Sequence, residues 1–222
     1  MTGSQLKRAI APEAKLERRE GILAAAAALL HKDPRAGFSM EALAARAGLA
    51  KGTLYLYFST REEVLLAVHE KHVHELFDAF ESALDAPDVD ASKVLAAGIR
   101  YYRDRPDSYS LAGNCHNLID STVSVEAVVA FKQRLAQRIA AIGARIEALV
   151  PGLAQGEGAA LLINSHALII GLWQQADVPE RLRKAMARPE LAMFRIDFER
   201  QLAAALADLW EGAQRRAAGR RT

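Results

Sequence analysis

The sequence predicts an all-α protein. Three observations carry the prediction. No run of β-branched residues alternates with polar ones at period two. Alanine, leucine, glutamate and arginine, which lose little rotamer freedom in a helix, fill most segments. Pro34, Pro87, Pro106, Pro151, Pro179 and Pro189 fall between apolar stretches of helical spacing, where a missing N–H does no harm. At 222 residues the chain suits one large helical domain, or a small domain followed by a medium one. A hydrophobic content of 51% is enough for a core, and 25% charged residues keep the surface wet.

The elements follow in order. Residues 1–13 read as a flexible arm. A first helix over 14–31 puts Ile22, Leu23, Ala26 and Leu30 on one face, and Pro34 and Gly37 stop the chain after it. Ser39 is placed to accept a hydrogen bond from a first-turn N–H of a second, short helix that ends at Gly48. Leu43 and Ala47 form the inner face of that helix. A third helix of about two turns starts near Ala50. Thr60 caps a fourth, over 61–84, whose first turn carries Glu62 and Glu63 where the helix dipole favours acids. Its apolar stripe is Val64, Leu65, Val68, Leu76 and Phe80. The break at 85–92 is the clearest in the chain. Helices are then predicted over 91–103, 107–119, 124–149, 156–177, 179–188 and 192–214, followed by a frayed basic tail at 215–222.

Charge divides unevenly along this plan. Residues 1–61 hold ten Lys/Arg against five Asp/Glu, while the whole chain is only +2. A basic head on a mildly acidic body points to a polyanion at one end. The stretch LAKGTLYLYF, residues 49–58, sharpens this. Gly48 lets the chain reverse tightly, Leu43, Leu49 and Leu54 converge on a small core, and Phe58 closes it. The outer face of the third helix keeps Lys51, Gly52, Thr53, Tyr55 and Tyr57, hydrogen-bonding groups suited to phosphates and base edges, with Gly52 allowing close backbone approach. Leu56 is left open between packing inward and touching a thymine methyl. Two short helices joined by AGLA after a supporting helix make a helix-turn-helix.

GFSMEALAARAGLAKGTLYLYFSTREEVLLAV, with ILAAAAALL before it, resembles the DNA-binding domain of the TetR/AcrR family of transcriptional regulators over 18–68. The resemblance implies a three-helix helix-turn-helix domain over 14–68, joined by a long helix to a helical effector-binding and dimerisation domain over 69–214. It implies double-stranded DNA as partner, with a palindromic operator, a homodimer, and a small-molecule effector whose binding releases a repressor. Carried over to this chain, Ser39 stands where the family's second helix touches phosphate. Lys51, Gly52 and Thr53 open the recognition helix. Tyr55 and Tyr57 sit at backbone-contacting positions, and Arg61 sits where a basic residue reaches a phosphate. Glu41 is expected to point away from DNA, since an acid near a phosphate repels.

In the body, LLINSHALIIGLW is apolar almost all round, so both its faces should be buried. Small Ala167 and Gly171 there, with Phe194, Phe198, Leu202, Ala205 and Leu209 at helical spacing on the last helix, form the expected dimer interface. The resemblance implies a four-helix arrangement of such helices. Effector-lining candidates come from YSLAGNCHNLID and its surroundings: Tyr102, Tyr109, Asn114, Cys115, Asn117, Phe131, His166 and Trp173.

Enzymatic and metal readings are weaker. Cys115 and His116 are adjacent, and neighbouring helix residues point about 100° apart, against a proton relay within the pair. Cys115 as a redox-sensing thiol stays an alternative, and a Cys/His enzyme a more remote one. His69 and His72 share a helix face with His74 nearby, but further metal ligands are not evident, so they read as solvated. No enzyme activity, cofactor or metal is expected. The single cysteine excludes an internal disulfide framework and fits a cytoplasmic protein. The apolar run at 21–30 is too short to span a bilayer, so no membrane partner is expected.

Overall fold

The computed structural model describes residues 12–32, 37–105, 107–119 and 124–220, with backbone only for 114–119. The predicted arm at 1–11 and the last two residues of the tail lie outside these. Among the described residues there are ten α-helices, one 3-10 turn and no strand: α1 (Pro12–Lys32), α2 (Met40–Arg46), α3 (Lys51–Tyr55), α4 (Arg61–Leu84), α5 (Ala91–Asp104), α6 (Asp107–Ile119), α7 (Val125–Leu149), α8 (Glu157–Ala176), α9 (Glu180–Met186), the turn Pro189–Phe194, and α10 (Phe198–Gly219). The chain divides into two compact units, Met1–Val68 and His69–Thr222. No helix among the described residues is long and apolar enough to cross a membrane.

In the first unit the predicted core residues are inward. Ile22, Leu23, Ala26 and Leu30 of α1 are buried, as are Leu43 of α2, Leu54 of α3, Phe58, and Val64 and Val68 of α4. Ser39 Oγ accepts from Ala42 N at 3.1 Å and starts α2. Gly48, at φ +66°, reverses the chain while Leu49 N donates back to Ala44 O at 2.9 Å. Thr60 Oγ1 accepts from Glu63 N, and Glu63 Oε2 accepts from Ser59 N, so the start of α4 is closed from both sides. The Arg19 guanidinium lies over the Phe58 ring, 5.2 Å from its centroid.

The second unit is organised by α7 and α8. A Cβ on Gly158 would stand 2.1 Å from Gly143 O, and one on Gly143 would stand 2.5 Å from Ala159 N. The two backbones therefore touch. Glu147 of α7 reinforces the crossing by accepting from Gly156 N at 2.8 Å and Gly158 N at 3.0 Å, which satisfies orphan donors at the start of α8. Trp210 of α10 donates from Nε1 to Ser165 Oγ at 3.0 Å, and Ser165 Oγ donates to Leu161 O at 2.7 Å, so both buried polar groups are satisfied. Along α4 and α7 the connections are ionic: Glu70 with Arg134 at 2.6 Å, Asp78 and Glu81 with Arg138 at 2.8 Å each, and Asp85 with Arg145 at 2.6 Å.

Four expectations are corrected here. The last helix does not begin at 192. A 3-10 turn ends at Phe194, and Asp197 caps a helix starting at Phe198, accepting from Arg200 N at 3.3 Å. Phe194 and Phe198 thus do not share a helical stripe. The tail is not frayed through 219: Ala217 is fully buried against Gly152, where a Cβ would stand 2.3 Å from Ala217 O, and Arg220 donates to Gly152 O while pairing with Glu157. His69 and His72 are buried rather than solvated, because they continue the inner stripe of α4. Ile163, Ala167 and Gly171 of α8 are exposed within the chain where they border the cavity described below, so α8 is not buried on every side.

Gly143→Ala should destabilise the protein by about 1–3 kcal/mol, because the new methyl meets backbone and the helices must separate. Gly21→Ala, with nothing within 4 Å of the added carbon and mid-helix geometry, should be neutral or stabilising by up to about 1 kcal/mol. Urea midpoints of the two variants check both.

Candidate functional site

The first candidate site is the outer face of α3. With Leu54 and Phe58 turned inward, Lys51, Gly52 and Tyr55 are exposed, and Thr53 and Tyr57 are half-buried. Tyr55 keeps 43% of its surface. A Cβ on Gly52 would meet nothing within 4 Å, so the backbone there is open to close approach. Leu56 is 75% exposed, which resolves its direction as outward. Ser39 is exposed, although its hydroxyl is engaged as the α2 cap. Arg61 is exposed at the start of α4, with its Nη2 3.1 Å from Glu62 Oε1.

Glu41 does not point away. Its carboxylate accepts from the Lys51 ammonium. The bond lowers the Glu41 pKa, and the same bond raises that of Lys51. The exposed pair holds the Lys51 head over α2 and trims the positive field of the α3 face.

The second candidate site is a cavity of about 920 Å³ inside the second unit, bordered by α4, α5, α6, α7, α8 and α10. Its walls are largely aliphatic and aromatic. The polar exceptions are His69, Tyr102, Lys132, Ser165, His166 and Gln174. Tyr102 OH and His166 Nδ1 are 3.3 Å apart, with donor and acceptor set by the tautomer. His69 packs on Phe131 with ring centroids 6.0 Å apart. Burial, and then the neighbouring His166, His72 and Lys132, push its pKa down to about 3. One helical turn on, His72 Nδ1 meets Tyr101 OH at 3.0 Å, and that hydroxyl donates to His72 O at 2.8 Å. His72 Nε2 is 3.3 Å from Asp107 Oδ2, within ion-pair distance but without the alignment of a hydrogen bond.

Of the expected effector residues, Tyr102, Phe131 and His166 border the cavity. Tyr109 and Trp173 do not. Tyr109 stacks on Tyr102 at 5.0 Å and meets the edge of Phe198 at 4.8 Å, while Trp173 lies against Gly113. The side chains of Asn114, Cys115 and Asn117 lie outside the described residues, and so does that of His116. The residues missed are His69, Lys132, Ser165 and Trp210. A gap in the apolar stripe of α4 between Val68 and Leu76, filled by histidines, was the available signal for His69.

The expected dimer residues separate. Ala167 and Gly171 are exposed on α8 and border the cavity, Phe194 is 55% exposed on the 3-10 turn, and Ala205 and Leu209 are half-buried on α10. Phe198 and Leu202 are corrected. Phe198 packs on Tyr109, and Leu202, only 3% exposed, borders the cavity, so both side chains serve the chain's own core. Among the described residues no group of three or more His, Cys, Asp or Glu could hold a metal.

A helix-turn-helix unit followed by a helical unit with an apolar cavity defines a class of two-unit regulatory proteins. The family description "Tetracyclin repressor-like, C-terminal domain" matches residues 69–217, and "Bacterial regulatory proteins, tetR family" matches 22–68. The chain belongs to the TetR family. It is similar to the HTH-type transcriptional regulator EthR of Mycolicibacterium smegmatis, at 30% identity over 39% of this chain and 40% of that protein. It is likewise similar to EthR of Mycobacterium tuberculosis, at 33% identity over 39% of this chain and 40% of that protein. The chain thus spans about two fifths of the length of these curated relatives. Among solved structures, it shares its fold with a possible TetR family transcriptional regulator of Streptomyces coelicolor A3(2), with a TM-score of 0.56 at 20% identity over 87% of this chain and 97% of that one. It also shares its fold with SmeT in a triclosan complex, with a TM-score of 0.50 at 23% identity over 88% and 91%.

His69 supplies a pH test. Its folded pKa lies below the ordinary histidine value, so the unfolded chain takes up the proton first as pH falls. Its contribution to stability is whole above about pH 6.5 and is lost between there and about pH 3. In urea unfolding between about pH 6 and pH 4, the wild type should lose about 1.4 kcal/mol per pH unit more than His69→Leu.

Proposed function

We propose that this protein is a homodimeric repressor that binds an operator in double-stranded DNA through α3 and is released when a small molecule occupies the cavity of the second unit. The observation that carries the proposal is the division of α3 by side-chain direction, in a chain of the TetR family. Leu54 is buried, while Lys51, Gly52, Thr53, Tyr55 and Tyr57 remain available on the outer face. In this reading Tyr55, Tyr57 and Arg61 bind phosphates, Ser39 adds a contact from the cap of α2, and the start of α3 meets base edges in the major groove. Lys51 reaches DNA by leaving Glu41.

A helix-turn-helix of this kind reads one half-site, and a palindromic operator needs two chains related by a two-fold axis. The exposed small residues Ala167 and Gly171 on α8, with the half-buried Ala205 and Leu209 on α10, are the surface proposed for that pairing. Release is a population shift. α4 contributes His69, Val73 and Phe77 to the cavity wall and begins within the DNA-binding unit, so a ligand that favours one position of α4 favours one position of the head. The coupling is reciprocal: ligand weakens DNA binding, and DNA weakens ligand binding. SmeT, which shares this fold, forms a complex with triclosan, and this supports a small-molecule ligand for the present chain.

If each chain neutralises about four phosphates, log K against log[salt] for the dimer should fall with a slope of roughly −7. A slope near zero in a salt titration of DNA binding removes the contact set. Tyr55→Phe should weaken DNA binding by about 1–2 kcal/mol if the hydroxyl meets a phosphate, and its exposure means the fold should be unaffected. Unchanged affinity in a gel-shift or anisotropy titration counts against Tyr55.

A further inference from the structure

The cavity has a one-sided lining. Among its described lining residues are one lysine and two histidines, and there is no aspartate or glutamate. In a pocket this apolar, the few polar groups fix what a ligand presents and where. Two of them each approach the Phe131 ring. The His69 ring centroid is 6.0 Å from that of Phe131, and Lys132 Nζ is 5.8 Å from the same point. Lys132 is exposed while lining the cavity, so its ammonium sits at the rim, and no acid among the described lining residues answers it. His69 is 6% exposed, and its Nδ1 is buried without a hydrogen-bond partner among the described residues. A buried polar atom left in that state calls for a partner.

Ligand classes can be weighed against this arrangement. A cationic head would meet Lys132 and two imidazoles with no carboxylate among the described lining residues. A wholly apolar ligand would leave both Lys132 and His69 Nδ1 unanswered. A carboxylate answers the ammonium at the rim, and bonds to an ionised acceptor are the stronger kind. Burial first, and then His166, His72 and Lys132, depress the basicity of His69.

We infer that the cavity takes an amphiphile with a carboxylate head and a long apolar body, the head at Lys132 on the rim beside Phe131 and the body against Phe77, Ile139 and Trp210. The inference rests on reading this cavity as the effector site, and it adds the chemical class of the occupant.

Trp210 supplies the readout. The chain has two tryptophans, of which Trp210 borders the cavity and Trp173 does not. In the full chain carrying Trp173→Phe, Trp210 fluorescence is titrated with dodecanoate, 1-dodecanol and dodecyltrimethylammonium, each below its micellar concentration. Dodecanoate should bind saturably and about tenfold more tightly than the other two. Adding Lys132→Met, a change at an exposed position, should remove that preference while leaving dodecanol affinity unchanged. Equal or tighter binding of dodecanol or of the cation overturns the head-group class and leaves the cavity open as an effector site. No response to any of the three overturns the inference and counts against the effector reading as well. Preferential dodecanoate binding that leaves DNA affinity unchanged supports the inference and removes the effector reading.

Discussion

The backbone contact of α7 with α8 at Gly143 and Gly158 is the constraint from which the second unit follows. Two helices can approach this closely only where neither carries a Cβ at the crossing. Glu147 then ties the start of α8 to α7 through two backbone donors, so the crossing is held by packing and by hydrogen bonds together. Farther along the same two helices, from Ala140 back to Phe131 and from Ala159 on to Gln174, the facing side chains border the cavity. A tight join at one end and a lined space beyond it come from the same pair of helices. α10 completes the wall from another side, with Trp210 anchored to Ser165.

The first unit meets a different constraint. Its reading helix α3 has only five residues, too few to be stable alone. It is held by Leu54 and by the backbone bonds that Thr53 and Leu54 donate to Ala50 O. Because burial is confined to Leu54 and, just beyond the helix, Phe58, the rest of the segment stays free for a groove. In the free protein the exposed Lys51 pairs with Glu41 of α2.

Legibility in the sequence followed the range of the forces involved. Caps at Ser39 and Thr60, the reversal at Gly48 and the inner stripes of α1 and α4 are local, so they could be read from a few residues each. The boundary between Phe194 and Phe198 was missed because a 3-10 turn and an N-cap at Asp197 leave helical spacing almost unchanged. Leu202 and Phe198 were assigned to a partner because periodicity marks a buried face without saying what buries it; tertiary packing on Tyr109 and the cavity decided that. Ala217 looked like part of a solvated tail because its partner, Gly152, is far away in sequence. His69 and His72 were read by residue type as wet, although their positions continue the buried stripe. The cavity itself depends on where five separated helices and part of a sixth converge, and no single segment carries that information.

The row of ion pairs between α4 and α7 gives the cavity an unusual wall. A helix interface filled with leucines resists parting because every ångström of opening wets apolar surface. Glu70–Arg134, Asp78 and Glu81–Arg138, and Asp85–Arg145 are bridges between side chains already touching water, and exposed pairs of this kind are worth about 0–1 kcal/mol each. Their charges are rehydrated as they separate. The ion pairs are thus the salt-sensitive share of the α4–α7 join, laid over a core in which Phe77 and Phe80 of α4 share one apolar cluster with Ile142 and Ile146 of α7.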